Sequence, residues 1–202
     1  MQLIHYFDYK SPYAYLAQAD TLALGTEFGV NIIFEPYTLD IPSYLGAAAL
    51  DDQGQDTINT RNAHQWRRVR YSYMDCRREG SRQGLVIRGP KKIFDSSLAH
   101  IGFYFAQDQG DFRPYHQAVF ERFWRRELDI EDAHVLTAVL ADTGYKAEGF
   151  ARYLEREGRE RHDAQRTLAE KTGVFGVPSL MLDNELFWGA ERIERVREKL
   201  SL

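Results

Sequence analysis

The first forty residues constrain this chain more than any other stretch. Residues 3–9, LIHYFDY, form a short apolar and aromatic run of the kind that fills a buried strand. Lys10-Ser11-Pro12 breaks it. Serine is a favoured helix N-cap and proline is favoured at the first helical position, so a helix is expected to start there. Residues 13–28 carry apolar side chains near helical spacing, and Gly29 supplies a stop. Residues 30–37, VNIIFEPY, then read as a second strand with Pro36 near its end. Strand, helix and strand in that order favour a parallel pair joined by a crossover.

The far end returns to strand chemistry. Residues 173–178, GVFGVP, are a turn-rich run, and residues 179–183 read as a strand. Asp183-Asn184 is a hairpin signal, residues 185–188 are the return strand, and Gly189-Ala190 opens a final helix over 191–200. Between the two ends the pattern is helical. Residues 96–107 read as a helix capped by Ser96 or Asp95, and residues 114–126 place Tyr115, Val119, Phe120 and Phe123 on one stripe. Residues 131–142, 146–156 and 161–172 continue the block, while 43–49 and 55–84 are polar and helical or loop-like. Joining β-α-β to β-β-α across this block gives the thioredoxin topology. The expectation is therefore an α/β, thioredoxin-like fold with an inserted all-helical domain: residues 1–40 and 172–202 form the thioredoxin-like domain, and 41–171 the insertion.

Composition narrows the function. The 202 residues carry a formal net charge of −4, which argues against a nucleic-acid binder by charge alone. The charge is uneven. Arg61, Arg67, Arg68, Arg70, Arg77, Arg78, Arg82, Arg88, Lys91 and Lys92 crowd one stretch, opposed there only by Asp75 and Glu79. Such a run is either a solvated helix face or a local positive field for a carboxylate ligand, and no nucleic-acid motif accompanies it. The single cysteine, Cys76, excludes an intrachain disulfide and reads as a small buried hydrophobe. The six histidines show no metal-ligand spacing, so no metal is expected. The start lacks a basic region followed by an apolar one, and no run of about 18 apolar residues occurs; neither a signal peptide nor a membrane span is expected, and a reducing cytoplasm fits.

Three places bear chemistry. Ser11 stands where a strand ends and a helix begins, beside free amides and the positive end of the helix dipole. Its hydroxyl either caps the helix or also donates a hydrogen bond to a sulfur anion held there. Val177-Pro178, after a glycine-rich turn and before a strand, is a candidate cis bond, although the sequence alone favours trans because few X–Pro bonds are cis. If cis, it would leave the N–H and C=O of Val177 unpaired toward the pocket, open to a peptide-like ligand. Gly189-Ala190-Glu191 opens the last helix, where amides favour an anion and Glu191 either complements the dipole or accepts from an ammonium. A thiol, an amide backbone, carboxylates and an amine together describe glutathione.

These residues also carry a family resemblance. FDYKSPYAYLA resembles the FDF-x-SP-[YF]-[SA]-Y-L-A start of 2-hydroxychromene-2-carboxylate isomerases, and GVFGVPSLMLDNELFWGAERI resembles their VFGVP-[TS]…WG-x-DR ending. HIGFYFA and VFERFWRR match the family's helical domain. The wider likeness is to DsbA proteins and kappa-class glutathione transferases. It implies a glutathione cofactor, a small aromatic-derived substrate and a homodimer. It also implies roles: Ser11 activates the glutathione thiol, Val177 pairs its backbone with the cysteinyl part, and Pro178 is cis. Ala190 and Glu191 hold the γ-glutamyl end, where the family has Asn or Ser followed by Asp. Tyr71-x-x-x-Asp75-x-x-Arg78 resembles the family's helix there, whereas residues 89–95 depart from its proline-rich loop. The implied activity is reversible addition of the thiolate to an aromatic-derived ketoacid. A kappa-type transferase acting on electrophiles, or a non-catalytic glutathione or small-acid binder, would use the same residues. A DsbA-type oxidoreductase would need Cys-x-x-Cys where the chain has Ser11-Pro12-Tyr13-Ala14.

Overall fold

A computed structural model describes residues 2–202. The chain opens with β1 (Gln2–Phe7), α1 (Pro12–Phe28) and β2 (Asn31–Pro36). Ser11 is the N-cap of α1, accepting from the Ala14 amide at 3.2 Å, and Gly29 ends the helix in the left-handed region at φ 63°. Strands β1 and β2 pair in parallel, as the crossover pattern implies.

The middle of the chain follows as α2 (Ile41–Leu45), β3 (Ala48–Leu50), β4 (Asp56–Asn59), α3 (Ala63–Arg82), α4 (Ser97–Gln107), α5 (Arg113–Trp124), α6 (Ala133–Asp142), α7 (Phe150–Glu155) and α8 (Glu157–Lys171). It is helical as expected, apart from the two-stranded antiparallel hairpin of β3 and β4. Residues 146–156 yield a shorter helix than the pattern suggested, since α7 starts only after Gly149 at φ 86°. Ser96 sits at the N-cap of α4, but Asp95 makes the capping bond, accepting from the Ser97 amide at 2.9 Å.

The chain closes with β5 (Ser179–Leu182), β6 (Glu185–Trp188) and α9 (Ile193–Leu200). Asp183 and Asn184 turn the hairpin at φ 51° and 65°, the left-handed pair that a two-residue turn requires. The last helix starts later than read, because Ala190–Arg192 forms a 3₁₀ turn ahead of it. The main sheet has the order β2-β1-β5-β6, with β5 antiparallel to β1. The two ends of the chain thus build one sheet.

Two apolar clusters hold the layers together. The smaller packs Leu3, Leu180 and Leu182 of the sheet against Ala17 and Leu24 of α1 and Ile193 and Val196 of α9. The larger joins the sheet to the helical block. Phe7 meets the His116 ring at 4.4 Å and Phe103 at 5.2 Å, and Tyr15 stacks on Phe120 at 5.2 Å. Fully buried Trp124 donates its indole N–H to the Tyr9 carbonyl at 3.0 Å. Helix α5 therefore grips the turn between β1 and α1, which carries Lys10 and Ser11. No helix among the described residues is long and apolar enough to cross a membrane.

Candidate active site

The β1–α1 turn is built on a buried carboxylate. Asp8 is fully buried and accepts from the amides of Lys10 at 3.1 Å and Leu39 at 2.8 Å, while its own carbonyl takes the Ser11 amide at 2.9 Å. Burial pushes its carboxyl up, but the Lys10 ammonium at 3.4 Å and the His100 ring at 3.4 Å outweigh that and hold it well below the usual carboxylate range. Lys10 is itself buried and also donates to the Ser96 hydroxyl at 3.3 Å. Beyond His100 the polar contacts continue through Thr38 to His162, each ring nitrogen 2.8 Å from the Thr38 hydroxyl, and end on the exposed carboxylate of Asp163 at 2.9 Å.

Ser11, 5 % exposed, presents its hydroxyl at the start of α1. The Val177–Pro178 bond is cis, as the family resemblance implies and against the trans form that most X–Pro bonds take. The Val177 carbonyl is not unpaired as expected: the Ser11 hydroxyl donates to it at 3.4 Å, a long and therefore weak bond. The Val177 amide has no hydrogen-bond partner among the described residues. Ser11 and Val177 border one cleft of about 690 Å³. Ala190 and Glu191 adjoin this region through the Gly189 amide, which donates to the Pro178 carbonyl at 2.9 Å. They do not line the cleft, and Glu191 is exposed. Four of the five sequence-read positions, Ser11, Val177, Pro178 and Ala190, are thus linked by contact or chain neighbourhood, with Glu191 at the edge.

The other walls come from the segment between the chain ends: α2, the β3–β4 hairpin, α3 and residues 89–94. Tyr44, Trp66, Tyr73 and Phe94 give the cleft aromatic surface. Arg61, Arg68, Arg70, Arg77, Lys91 and Lys92 of the basic stretch face it, so that stretch is partly a binding wall. Of its other members, Arg78 pairs with Asp75 and Arg82 with Glu79 on the surface, and Arg88 donates to the Arg125 carbonyl. Tyr13 lines the cleft and donates to Asp75 of α3 at 3.1 Å, tying the two helices. Buried Cys76 lies below, its thiol pushed up to about 12 by burial, and is no nucleophile at neutral pH. Among the described residues no cluster of His, Cys, Asp or Glu could hold a metal ion.

Sequence reasoning missed Lys10 and Arg126, both of which line the cleft. A lysine between a strand and a helix reads as surface, and Arg126 reads as a helix end. The signals were nearby: a run of buried residue types on both sides of Lys10, and a cationic partner to the wall at Arg126.

A β-α-β and β-β-α sheet with a helical segment between its halves, and a cis-proline turn held against the start of the first helix, defines the thioredoxin class in its DsbA-like form. The chain belongs to that family: the DSBA-like thioredoxin domain matches residues 2–201. Within it, the chain is 26% identical over 190 residues to a 2-hydroxychromene-2-carboxylate isomerase of Sphingobium xenophagum, covering 94% of this chain and 92% of that one. It is 26% identical to a second isomerase of that name from Pseudomonas putida, covering 93% and 88%. Among solved structures it is similar to a 2-hydroxychromene-2-carboxylate isomerase at a TM-score of 0.77 and 23% identity, covering 100% of this chain and 95% of that one.

Proposed function

We propose that the protein is a glutathione-dependent isomerase of the 2-hydroxychromene-2-carboxylate isomerase type, acting on a small aromatic-derived ketoacid. The observation that carries this reading is the Ser11 hydroxyl. It sits at the helix start, is held by the Ala14 amide, and makes only a 3.4 Å bond to the Val177 carbonyl at the mouth of an aromatic, cationic cleft. The full-length likeness to isomerases of that name supports the choice of reaction.

The residues present fit the tripeptide. The unbonded Val177 amide suits a peptide carbonyl, and the Ser11 hydroxyl can turn from its weak acceptor to a sulfur anion. Bound there, glutathione would supply a thiolate for reversible addition to a conjugated substrate. The hydroxyl and the α1 amides favour the charged form of that sulfur, as a helix start favours any anion. The cationic wall orients a substrate carboxylate, and the aromatic surface receives its ring. No net oxidation or reduction is involved, consistent with a single buried cysteine.

The test is turnover of hydroxychromene acids and related ketoacids with and without glutathione. Glutathione should raise the melting temperature, and Ser11→Ala should abolish glutathione-dependent turnover while leaving a folded protein. Wild-type rates in Ser11→Ala would refute the reading.

A further inference from the structure

The cations that face the cleft fall into three groups: lysines paired with carboxylates, arginines anchored on a backbone carbonyl, and Arg68 and Arg70, which have neither partner among the described residues. Lys91 and Lys92 have carboxylate partners, Asp52 at 3.0 Å and Glu131. Arg61, Arg77 and Arg126 have none among the described residues. Instead each has its Nε fixed to a backbone carbonyl: Arg61 to Leu45 at 3.1 Å, Arg77 to Ile87 at 3.3 Å, and Arg126 to Gly89 at 2.6 Å. Their terminal nitrogens make no hydrogen bond within the described residues. A guanidinium anchored by Nε keeps its outer edge free and oriented, the arrangement that suits an oxyanion.

Arg77 and the anchor of Arg126 both meet Tyr73. The Arg77 guanidinium lies 5.8 Å from the Tyr73 ring. Gly89, whose carbonyl holds Arg126, rests against the same ring so closely that a Cβ there would come within 3.2 Å of it. Burial pushes the Tyr73 phenol up to about 12, and Arg61, Arg77 and Arg126 all pull against that. Arg61 also stacks 4.9 Å over Trp66, giving the cations an aromatic floor. The backbone at Arg126 is in the left-handed region at φ 62°, where glycine is the comfortable residue. An arginine at that strained position points its side chain into the cleft.

We propose that Arg61, Arg77 and Arg126, which line one cleft with free terminal nitrogens, form a subsite for a doubly charged oxyanion, so that the substrate carries two carboxylates or a phosphate monoester. One carboxylate carries a single charge and leaves two of the three free guanidinium edges without a counter-charge, whereas a dianion can pair with more than one of them. The inference rests on the reading above for the place of the reacting end, since Ser11 borders the same cleft. It goes beyond that reading in the class of substrate.

The test is binding of phthalate, phenyl phosphate and benzoate by calorimetry at fixed ionic strength, with and without saturating glutathione. Phthalate, phenyl phosphate or both should bind at least tenfold more tightly than benzoate, and should still bind with glutathione present. Whichever of the two binds identifies the source of the dianion. Arg126→Gly should lose most of that preference while melting no lower than wild type, because glycine relieves the left-handed backbone. Arg77→Met should lose the preference as well. Equal binding of benzoate and both dianions, or a preference that survives in both variants, overturns the proposal. Exclusion of the dianions by glutathione would also overturn it, leaving the arginines to the tripeptide's own carboxylate and the isomerase reading intact. Dianion binding in a protein that shows no response to glutathione would sink the isomerase reading and keep the subsite.

Discussion

Ser11 uses one oxygen for two bonds, accepting from the Ala14 amide and donating to the Val177 carbonyl. Removing it should therefore cost stability as well as chemistry. Loss of an N-cap is worth about 1 kcal/mol, so Ser11→Ala should melt a few degrees lower without unfolding, as a thermal scan would show. A drop large enough to unfold the protein at room temperature would mean the hydroxyl is structural first. Cys76 gives a second check. Buried, with a thiol pushed up to about 12, it should resist iodoacetamide in the native protein at pH 7.5 and react fully in denaturant, read by mass spectrometry. His5 gives a third. Both ring nitrogens are buried without partners, the ring lies 5.0 Å from that of Phe34, and burial pushes its pKa down from 6.5 to about 3. Above pH 6.5 both folded and unfolded forms are neutral there. Between pH 6.5 and about 3 only the unfolded form takes the proton, so stability falls as the pH falls through that window. The depressed Asp8 carboxyl adds a loss in the same direction below about pH 4. Urea midpoints should hold from pH 7.5 to about 6.5 and drop from there to pH 4.5, and His5→Phe should make that drop shallower; an unchanged slope would remove His5 from the account.

At the scale of elements, what was legible was local. Ser11-Pro12 and Gly29 bound α1, and Asp183-Asn184 turns the last hairpin, because each signal lies within a few residues of what it controls. The β3–β4 hairpin was not legible. All four β4 residues are exposed, so no buried alternation marks it, and it leans on a remote segment: Leu50 donates to the Lys91 carbonyl at 2.8 Å. The cleft wall follows the same rule. Lys10 is buried only because Asp8 and Ser96 meet it, and Ser96 belongs to the far side of the helical segment. Arg126 is a cleft residue because its Nε reaches the Gly89 carbonyl, which no spacing announces. Helix contacts hide constraints as well. A Cβ on Gly102 of α4 would lie 2.1 Å from the Tyr115 hydroxyl, itself buried and donating to the Ala99 carbonyl at 3.1 Å. Gly102→Ala should cost about 1–3 kcal/mol in chemical denaturation, despite alanine's better helix propensity. A stabilised variant would show that α4 and α5 can part cheaply.

For the molecule as a whole, the sheet order β2-β1-β5-β6 makes β1 a central strand whose second neighbour starts only at Ser179 and so is synthesised long after it. Until then β1 shows a bare row of amides and carbonyls beside Leu3, Ile4 and Phe7, on the order of ten seconds at ~5–20 residues/s on the ribosome. A chain released before β5 should accumulate in the insoluble fraction, whereas removal of α9 alone should leave soluble protein in part; equal solubility of the shorter chain and the full one would contradict this. The same order means that neither end can mature first. The Ser11 hydroxyl meets the Val177 carbonyl only when the sheet closes, so a half-made chain exposes a sticky edge before the two halves of the cleft stand together.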